Sequence, residues 1–415
     1  MRGRYWVETL GCPKNQVDSD KLVGTLAADG MAPAASPAEA DVVVVNTCAF
    51  IEAARQESVE TILALAGAKA DGARLVVTGC LAERYGDELA QALPEADLVA
   101  GFGVPVTLTA GPARDAAKLD LLNLPRPPAS APWAYVKVAE GCDRRCGFCA
   151  IPSFRGRQRS RTVEAVLEEV EALGAKEIVL VAQDLASYGK DLAGVGAGAI
   201  VPLVRAVAER VERARLLYLY PSDLTDDLVD AIGATGVPYF DLSLQHVSRR
   251  LLRRMRRWGD GERFLRRVEA IRRSWPEATF RSSFIVGYPG ETEADHDLLL
   301  RFLDEAQLDW CGFFAYSEEE GTYAAGLDGE VAPALVRERL AEVGELQDAI
   351  TASRRLDLVG RKMEVLVDRP GEGRSHREAP EIDGVVRVPA HLAVGEVATV
   401  VATGAEGPDL EAEAA

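Results

Sequence analysis

Histidine is scarce in this chain. The 415 residues hold only His246, His296, His376 and His391, and no two are close enough in sequence to suggest a histidine-based zinc site. No apolar run approaches the roughly 18 residues of a membrane span. The opening MRGRYWVETLGC interrupts any signal-peptide core with charges. A basic surplus is missing too: the formal net charge is -18. Generic nucleic-acid binders draw affinity from neutralised phosphates and are basic, so an acidic chain suits a basic protein partner or a small molecule better. These absences lead us to expect a soluble, cytoplasmic protein. Its length allows two or three domains, and with 48% hydrophobic residues it can bury a sizeable core.

Seven cysteines are present: Cys12, Cys48, Cys80, Cys142, Cys146, Cys149 and Cys311. An odd number in a large chain without a secretion signal argues against a disulfide framework and for metal ligands or catalytic thiols.

Three segments separate by pattern. In residues 1–130, YWVETLGC, DVVVVNTC and RLVVTGC read as parallel strands, with helical stretches over Ser19 to Asp29 and Ile51 to Ala66 between them. That alternation predicts a small open parallel α/β sheet. The proline-dense LNLPRPPASAPW, residues 122–133, reads as a linker. Residues 131–358 offer six βα units on the strands AYVKVAE, EIVLVAQD, RLLYLY, YFDLSLQ, FRSSFIVGY and WCGFFAY. Six units predict a barrel or partial (β/α)6 barrel, whose ligands gather at the carboxyl ends of the strands. Residues 359–415 carry short β runs (MEVLVD, GVVRV, EVATVVAT) separated by Gly and Pro. They predict a small antiparallel β-barrel, and the final GPDLEAEAA reads as a frayed, disordered tail.

The strongest motif is EGCDRRCGFCAIP, which sets Cys142, Cys146 and Cys149 in C-x3-C-x2-C spacing directly after a strand. Three thiolates on one tight loop can bind three irons of a cubane and leave the fourth open to chelate a substrate, unlike electron-transfer clusters closed by four cysteines. The competing reading is structural zinc, which wants four protein ligands, and no partner pair lies nearby. Cys12, Cys48 and Cys80 each fall at the carboxyl end of an expected parallel strand (TLGC, VNTC, VTGC). One buried cysteine is ordinarily packing. Three at equivalent strand ends of one sheet would point into one crevice and suit a second cluster with an open iron.

The cysteine loop resembles that of the radical S-adenosylmethionine superfamily, including the aromatic Phe148 before the third cysteine. Two three-cysteine sets in this order, with GCPKN, NTC and TGC around the first three, resemble the methylthiotransferases. The resemblance covers essentially the whole chain: an N-terminal methylthiotransferase domain (1–130), the radical core (131–358) and a TRAM domain (359–415). It implies two [4Fe–4S] clusters and two uses of S-adenosylmethionine, one to methylate a sulfide on the auxiliary cluster and one to generate the radical that removes hydrogen from a substrate C–H bond. Such a bond is far too weak an acid for protein bases. An external electron donor and a sulfur donor are implied as partners.

Methylthiotransferases divide mainly between enzymes that modify an adenosine of transfer RNA and a branch that modifies an aspartate of protein twelve of the small ribosomal subunit. GCPKNQVDSDKL, DLSLQHVSRRLLRRMRR, YSEEEGTYAA and EAPEIDGVV resemble the ribosomal branch, and Gln245-His246 stands where the transfer-RNA branch usually reads Gln-Ser-Gly. Charge agrees independently. From Arg361 onward there are six Lys/Arg against eleven Asp/Glu, a balance of -5, which suits a basic ribosomal protein better than transfer RNA. A transfer-RNA methylthiotransferase and a non-catalytic iron–sulfur or zinc protein are the alternatives.

Weaker candidates follow from position. Arg155 and Arg157, with Arg159 and Arg161, read either as contacts to an anionic substrate or as a solvated loop. Six arginines between Arg249 and Arg257 lie on one expected helix and read as a solvated face, with an accessory ribosomal RNA contact as the other use. Gln183, Asp184, Gln245 and His246 end strands and are candidates for cofactor, substrate or structural hydrogen bonds. The resemblance places the adenine of S-adenosylmethionine near Ile285 to Gly287, and Cys311 reads as core. Nothing demands a dimer, so a monomer is expected.

Overall fold

The computed structural model describes residues 3–106, 119–194, 196 and 198–415. Strands β1 (Arg4–Thr9), β2 (Ala32–Pro33), β3 (Val42–Thr47), β4 (Arg74–Gly79) and β5 (Leu98–Val99) form one parallel sheet in the order β2-β1-β3-β4-β5. β3 is buried along its whole length because both faces of the sheet are covered. Helix α1 (Pro13–Ala28) packs Leu22 and Leu26 against Val42 and Val44. On the other face α2 (Glu52–Ala68) and α3 (Cys80–Ala92) set Ile62, Leu65, Leu81 and Leu89 on Val43, Val45 and Val77. α1 starts six residues before the expected Ser19, because Cys12 holds an extended N-cap conformation and Pro13 supplies the first helical φ.

The central segment contains β6 (Trp133–Lys137), the short hairpin β7 (Ala139–Glu140) with β8 (Arg159–Ser160), then β9 (Glu177–Val181), β10 (Arg213–Leu216), β11 (Tyr239–Gln245), β12 (Thr279–Val286) and β13 (Trp310–Ala315). Two parallel sheets, β6-β9-β10 and β11-β12-β13, are joined by a bridge between Leu219 and Leu242. The result is an open arc of six parallel strands, the expected partial barrel. Its helices are α4 (Ile151–Arg155), α5 (Val163–Leu173), α6 (Ile200–Ala208), α7 (Asp226–Gly233), α8 (Arg249–Arg254), α9 (Gly261–Ser274), α10 (Glu293–Ala306) and α11 (Pro333–Leu356). Thr162, Thr225 and Asp260 cap α5, α7 and α9 through their side-chain oxygens. Two expectations shift. The strand read as RLLYLY leaves its ladder after Leu216, and Tyr218 adopts a left-handed φ of 68°. The arginine run is not one helix, since α8 stops at Arg254 and Arg256 has φ 55°.

At the C-terminus β14 (Lys362–Arg369), β15 (Glu372–Arg374), β16 (Val386–Arg387), β17 (Val397–Glu406) and β18 (Asp409–Ala414) close a barrel in the order β14-β15-β16-β18-β17. The tail expected to fray is strand β18. Leu410 and Ala412 point inward between exposed Glu411 and Glu413, so the acidic residues that suggested disorder are the outer face of a strand. The barrel is not wholly antiparallel, because β16 and β18 run parallel.

The three segments interlock. From the small barrel, residues 374–383 plug the amino-terminal mouth of the six-strand arc. Tyr135 Oη donates to the Pro380 carbonyl at 2.9 Å, Trp310 Nε1 to Arg377 at 2.7 Å, and Arg213 to Arg374 at 2.9 Å. Val17 of α1 enters the same buried cluster as Tyr135, Val179 and Tyr239, so the N-terminal sheet docks on the arc through α1. Glu319, after β13, is a second latch: Arg84 reaches it at 2.7 Å and Arg55 pairs with it too. Among the described residues no helix is long and apolar enough to cross a membrane.

Candidate active site

Adjacent strands β1, β3 and β4 deliver Cys12, Cys48 and Cys80 to one edge of the N-terminal sheet. Gly11 makes the close approach possible. It sits at φ +90°, and a Cβ there would lie 2.8 Å from Cys48 Cβ and 2.9 Å from its sulfur. Asn15 staples the two loops, donating to the carbonyls of Leu10 and Thr47, each at 2.9 Å, while Asn46 donates to the Asn15 carbonyl at 2.8 Å. Burial pushes the Cys48 thiol up to about 12, and the neighbouring Cys12 and Cys80 add to it. Cys80 is likewise raised by burial, against the lowering effect of Arg155. Burial raises Cys12 as well, but Lys14 and Arg155 beside it hold this thiol below its usual range.

The second set hangs on the loop after β7. Cys142 N donates to the Gly156 carbonyl at 3.1 Å, and Gly141, at φ +76°, leaves room for the Arg157 carbonyl. Cys149 N donates to the Cys146 carbonyl at 3.2 Å, and Gly147 N to Met255 at 2.8 Å, which folds the loop against the end of α8. Donors face these sulfurs: Arg144 N lies 3.4 Å from Cys142, and an Arg257 guanidinium nitrogen 3.4 Å from Cys146. Burial raises Cys142 to about 11 and Cys149 to about 12.

All seven cysteines are free thiols. Among the described residues no group of three His, Cys, Asp or Glu side chains is gathered tightly enough to hold a single metal ion. Zinc needs all its donors within about 2.3 Å of one centre, whereas a cubane spreads its thiolates over separate irons. With cationic and N–H donors facing the sulfurs, each triad fits an anionic iron–sulfur cluster.

Between the triads runs a buried charge network that sequence reasoning missed apart from Arg155. The Arg155 guanidinium donates to Cys80 Sγ at 3.0 Å, Asn15 Oδ1 at 2.7 Å, Glu140 at 2.9 Å and Asp18 at 3.2 Å. Lys137 pairs with Glu140 at 2.6 Å and with Asp18. Gln183 Nε2 closes the chain on Glu140 at 2.7 Å. Burial alone would raise the Glu140 carboxyl, but Arg155 and Lys137 hold it well below the carboxylate range. Asn15 and Asp18 had a signal in their place three and six residues after Cys12, on the helix that it opens. Lys137 and Glu140 were polar residues inside a strand motif, which is unusual for a buried strand.

The other candidates divide. Gln183 Oε1 and Asp184 Oδ1 are buried without a partner among the described residues, so both can accept from a ligand. Gln245 ends β11 in a left-handed conformation, φ 69°, half-buried, and Ile285 is half-buried on β12. Gly287 follows β12 at φ +80°, where a Cβ would come within 2.5 Å of Val336, and its N–H donates to Glu291 at 2.7 Å. Phe148 packs on the main core. Arg157 is 91% exposed and meets only Asp143, at 3.3 Å. His246 is fully buried. Its Nδ1 accepts from Ser248 N at 3.0 Å, its Nε2 has no partner among the described residues, and burial pushes it down to about 4. Arg155, Arg157 and His246 therefore share no pocket. Cys311 is half-buried on β13 against the core.

Comparison with known proteins matches three stretches of the chain. Residues 4–101 match the uncharacterized protein family UPF0004, residues 136–303 the radical SAM superfamily, and residues 359–415 the TRAM domain. A ribosomal protein uS12 methylthiotransferase RimO of Moorella thermoacetica is 45% identical over 403 residues, 93% of each chain. Proteins of the same name from Nocardioides sp. (43%, covering 97% of this chain and 95% of the relative) and Cutibacterium acnes (41%, 98% and 97%) are also similar. Among solved structures, the radical S-adenosylmethionine methyltransferase TsrM from Kitasatospora setae, with tryptophan and an S-adenosylmethionine analogue bound, shares the fold at TM-score 0.50 and 15% identity, covering 84% of this chain and 89% of that one. The chain belongs to the ribosomal protein uS12 methylthiotransferase (RimO) family of radical S-adenosylmethionine enzymes.

Proposed function

We propose that this chain adds a methylthio group to the β-carbon of an aspartate in ribosomal protein uS12. Cys142, Cys146 and Cys149 hold one [4Fe–4S] cluster, and Cys12, Cys48 and Cys80 hold the other. The observation that carries the reading is Arg155, which joins the helix after the first thiol loop directly to Cys80 and so fixes both triads to one interface. When bound, the clusters supply an electron that cleaves S-adenosylmethionine at the first site and an attachment point for sulfur at the second.

The chain's own residues do the rest. Gln183 Oε1 and Asp184 Oδ1, without a partner among the described residues, are acceptors for the polar groups of S-adenosylmethionine, and Gln245, Ile285, Gly287 and Phe148 are the further cofactor contacts of this reading. Arg144 is held on Asp184 at 2.5 Å and stacks on Tyr220 at 3.8 Å, which orients Asp184 beside Cys142. The Asp18–Lys137–Glu140–Arg155 network leaves few of its polar groups open to water at the domain junction, which protects a radical from quenching.

Substrate choice is supported by charge. Two of the six cations in the C-terminal segment, Arg374 and Arg377, are buried against the radical core, and its exposed face sets six acids, Glu364, Glu381, Glu396, Glu406, Glu411 and Glu413, against the four cations Arg361, Lys362, Arg369 and Arg387, an acidic balance. Such a face attracts a basic ribosomal protein and repels transfer RNA. The exposed Arg249, Arg253 and Arg273 supply an accessory contact to ribosomal RNA phosphates. Electrons and sulfur come from outside the chain, and the setting is cytoplasmic.

The test is anaerobic incubation of reconstituted enzyme with S-adenosylmethionine, sulfide and a strong reductant, uS12 and transfer RNA in separate tubes. Peptide mapping is expected to find a methylthio adduct on one uS12 aspartate, lost when Cys142, Cys146 and Cys149 become Ala. An adduct on transfer RNA alone would contradict the substrate reading.

A further inference from the structure

Three lysines are buried in the described structure: Lys14, Lys21 and Lys137. Two are neutralised inside the fold. Lys21 meets Glu169 at 3.2 Å, and Lys137 meets Glu140 at 2.6 Å as well as Asp18. Lys14 is different. Only 9% exposed, it has no carboxylate and no hydrogen-bond acceptor among the described residues. Its Nζ rests on the Tyr218 ring, 3.4 Å from the centroid. A ring face offsets only part of the hydration that a buried ammonium loses.

Position makes the missing partner informative. Lys14 lies two residues after Cys12, at the start of α1, and its side chain crosses from the N-terminal sheet to Tyr218 just beyond β10. Burial and the nearby Arg155 guanidinium work against its charge, while Cys12, Asp241 and Cys80 support it. Asp241 is already engaged: Oδ2 accepts from Tyr218 N at 2.9 Å and Oδ1 from Arg281 at 3.2 Å. Arg155 is taken by Glu140 and Asp18. Lys14 thus stands between the auxiliary thiols and Tyr218 of the radical core, with no carboxylate of its own among the described residues.

We propose that Lys14 Nζ anchors the side-chain carboxylate of the target aspartate, and so acts as a specificity determinant for an acidic side chain. The inference rests on the aspartate reading given above. An aspartate β-carbon is bonded directly to its carboxylate, so a salt bridge at Lys14 fixes the reacting carbon one bond away from a charge held between the two thiol sets. Ion pairing in a buried site also favours a carboxylate over its amide, which supplies discrimination without a pocket shaped for the whole residue.

The experiment is a double-mutant binding cycle on holoenzyme with both clusters and S-adenosylmethionine bound, read anaerobically by fluorescence anisotropy. The probes are a synthetic peptide of the uS12 target segment and the same peptide with its aspartate replaced by asparagine. Wild type is expected to bind the asparagine peptide about tenfold or more weakly, and Lys14→Met to bind the aspartate peptide with a similar loss. Combining both changes is expected to add little, and Lys14→Arg to recover most of the affinity. Independent, multiplying losses would overturn the proposal, as would unchanged binding by Lys14→Met. Iron content of each variant is counted in parallel. Loss of iron in both Lys14→Met and Lys14→Gln, with Lys14→Arg loaded but binding the aspartate and asparagine peptides alike, would make Lys14 a counter-charge to the thiolates and overturn the anchor. Wild type that binds neither peptide would instead refute the uS12 aspartate reading itself.

Discussion

Gly11 shows how little room the auxiliary thiols have. Any side chain there would need a φ of +90° and would press on Cys48 at 2.8–2.9 Å. Gly11→Ala is expected to separate Cys12 from Cys48 and cost the auxiliary iron, while 5′-deoxyadenosine formation persists. Full iron content in that variant would contradict the packing argument. His246 carries a pH dependence at the same scale. Burial holds its pKa at about 4 against an ordinary 6.5, so the unfolded chain binds the proton first as pH falls. Its contribution to stability is therefore complete above about pH 6.5 and is lost progressively down to about pH 4. His246→Gln is expected to flatten that part of the stability–pH curve relative to wild type, measured by chemical unfolding, and an unchanged slope would refute it. The places of Cys12, Cys48 and Cys80 were legible because each follows a strand motif, and those of Cys142, Cys146 and Cys149 because their spacing sets them on one loop. Asp18 and Lys137 were not, because they pair only when segments more than 100 residues apart meet, and Glu140 takes its role from Arg155 and Gln183 in separate elements.

At the scale of elements, strand ends were easier to read than strand lengths. β11 matches YFDLSLQ because its alternating and buried residues agree along its whole length. β10 is shorter than RLLYLY because Tyr218 turns out of the ladder to face Lys14, a tertiary contact with no local signature. β18 was hidden by acidic composition, which reports solvent exposure of one face and not disorder. Between elements, the loop after β13 latches the N-terminal sheet through Glu319, whose carboxylate is 2% exposed and meets Arg55 and Arg84. Removing it strands the buried Arg84 and leaves Arg55 with Glu52 alone. Glu319→Ala should cost about 3 kcal/mol of docking stability, with hydrogen exchange quickening in α2 and α3 but not in the C-terminal barrel. Uniform protection would show the latch to be idle.

For the whole molecule, the three segments read from sequence are not three independent bodies. The C-terminal barrel closes one mouth of the arc with residues 374–383, and α1 docks the N-terminal sheet on it. Packing of this kind leaves no pattern in the chain beyond conspicuous polar residues such as those of EAPEIDG. The same packing sets Cys80 and the loop of Cys142 on either side of Arg155, so the arrangement stands or falls on two clusters at one junction. Iron counted per chain, with visible and Mössbauer spectra, tests this most directly in three proteins: wild type, the Cys12, Cys48 and Cys80→Ala variant, and the Cys142, Cys146 and Cys149→Ala variant. The prediction is about eight irons in wild type and about four in each variant, four to a cubane, each variant keeping the spectrum the other loses. Bound zinc, or one triple substitution that leaves the iron count unchanged, would contradict it.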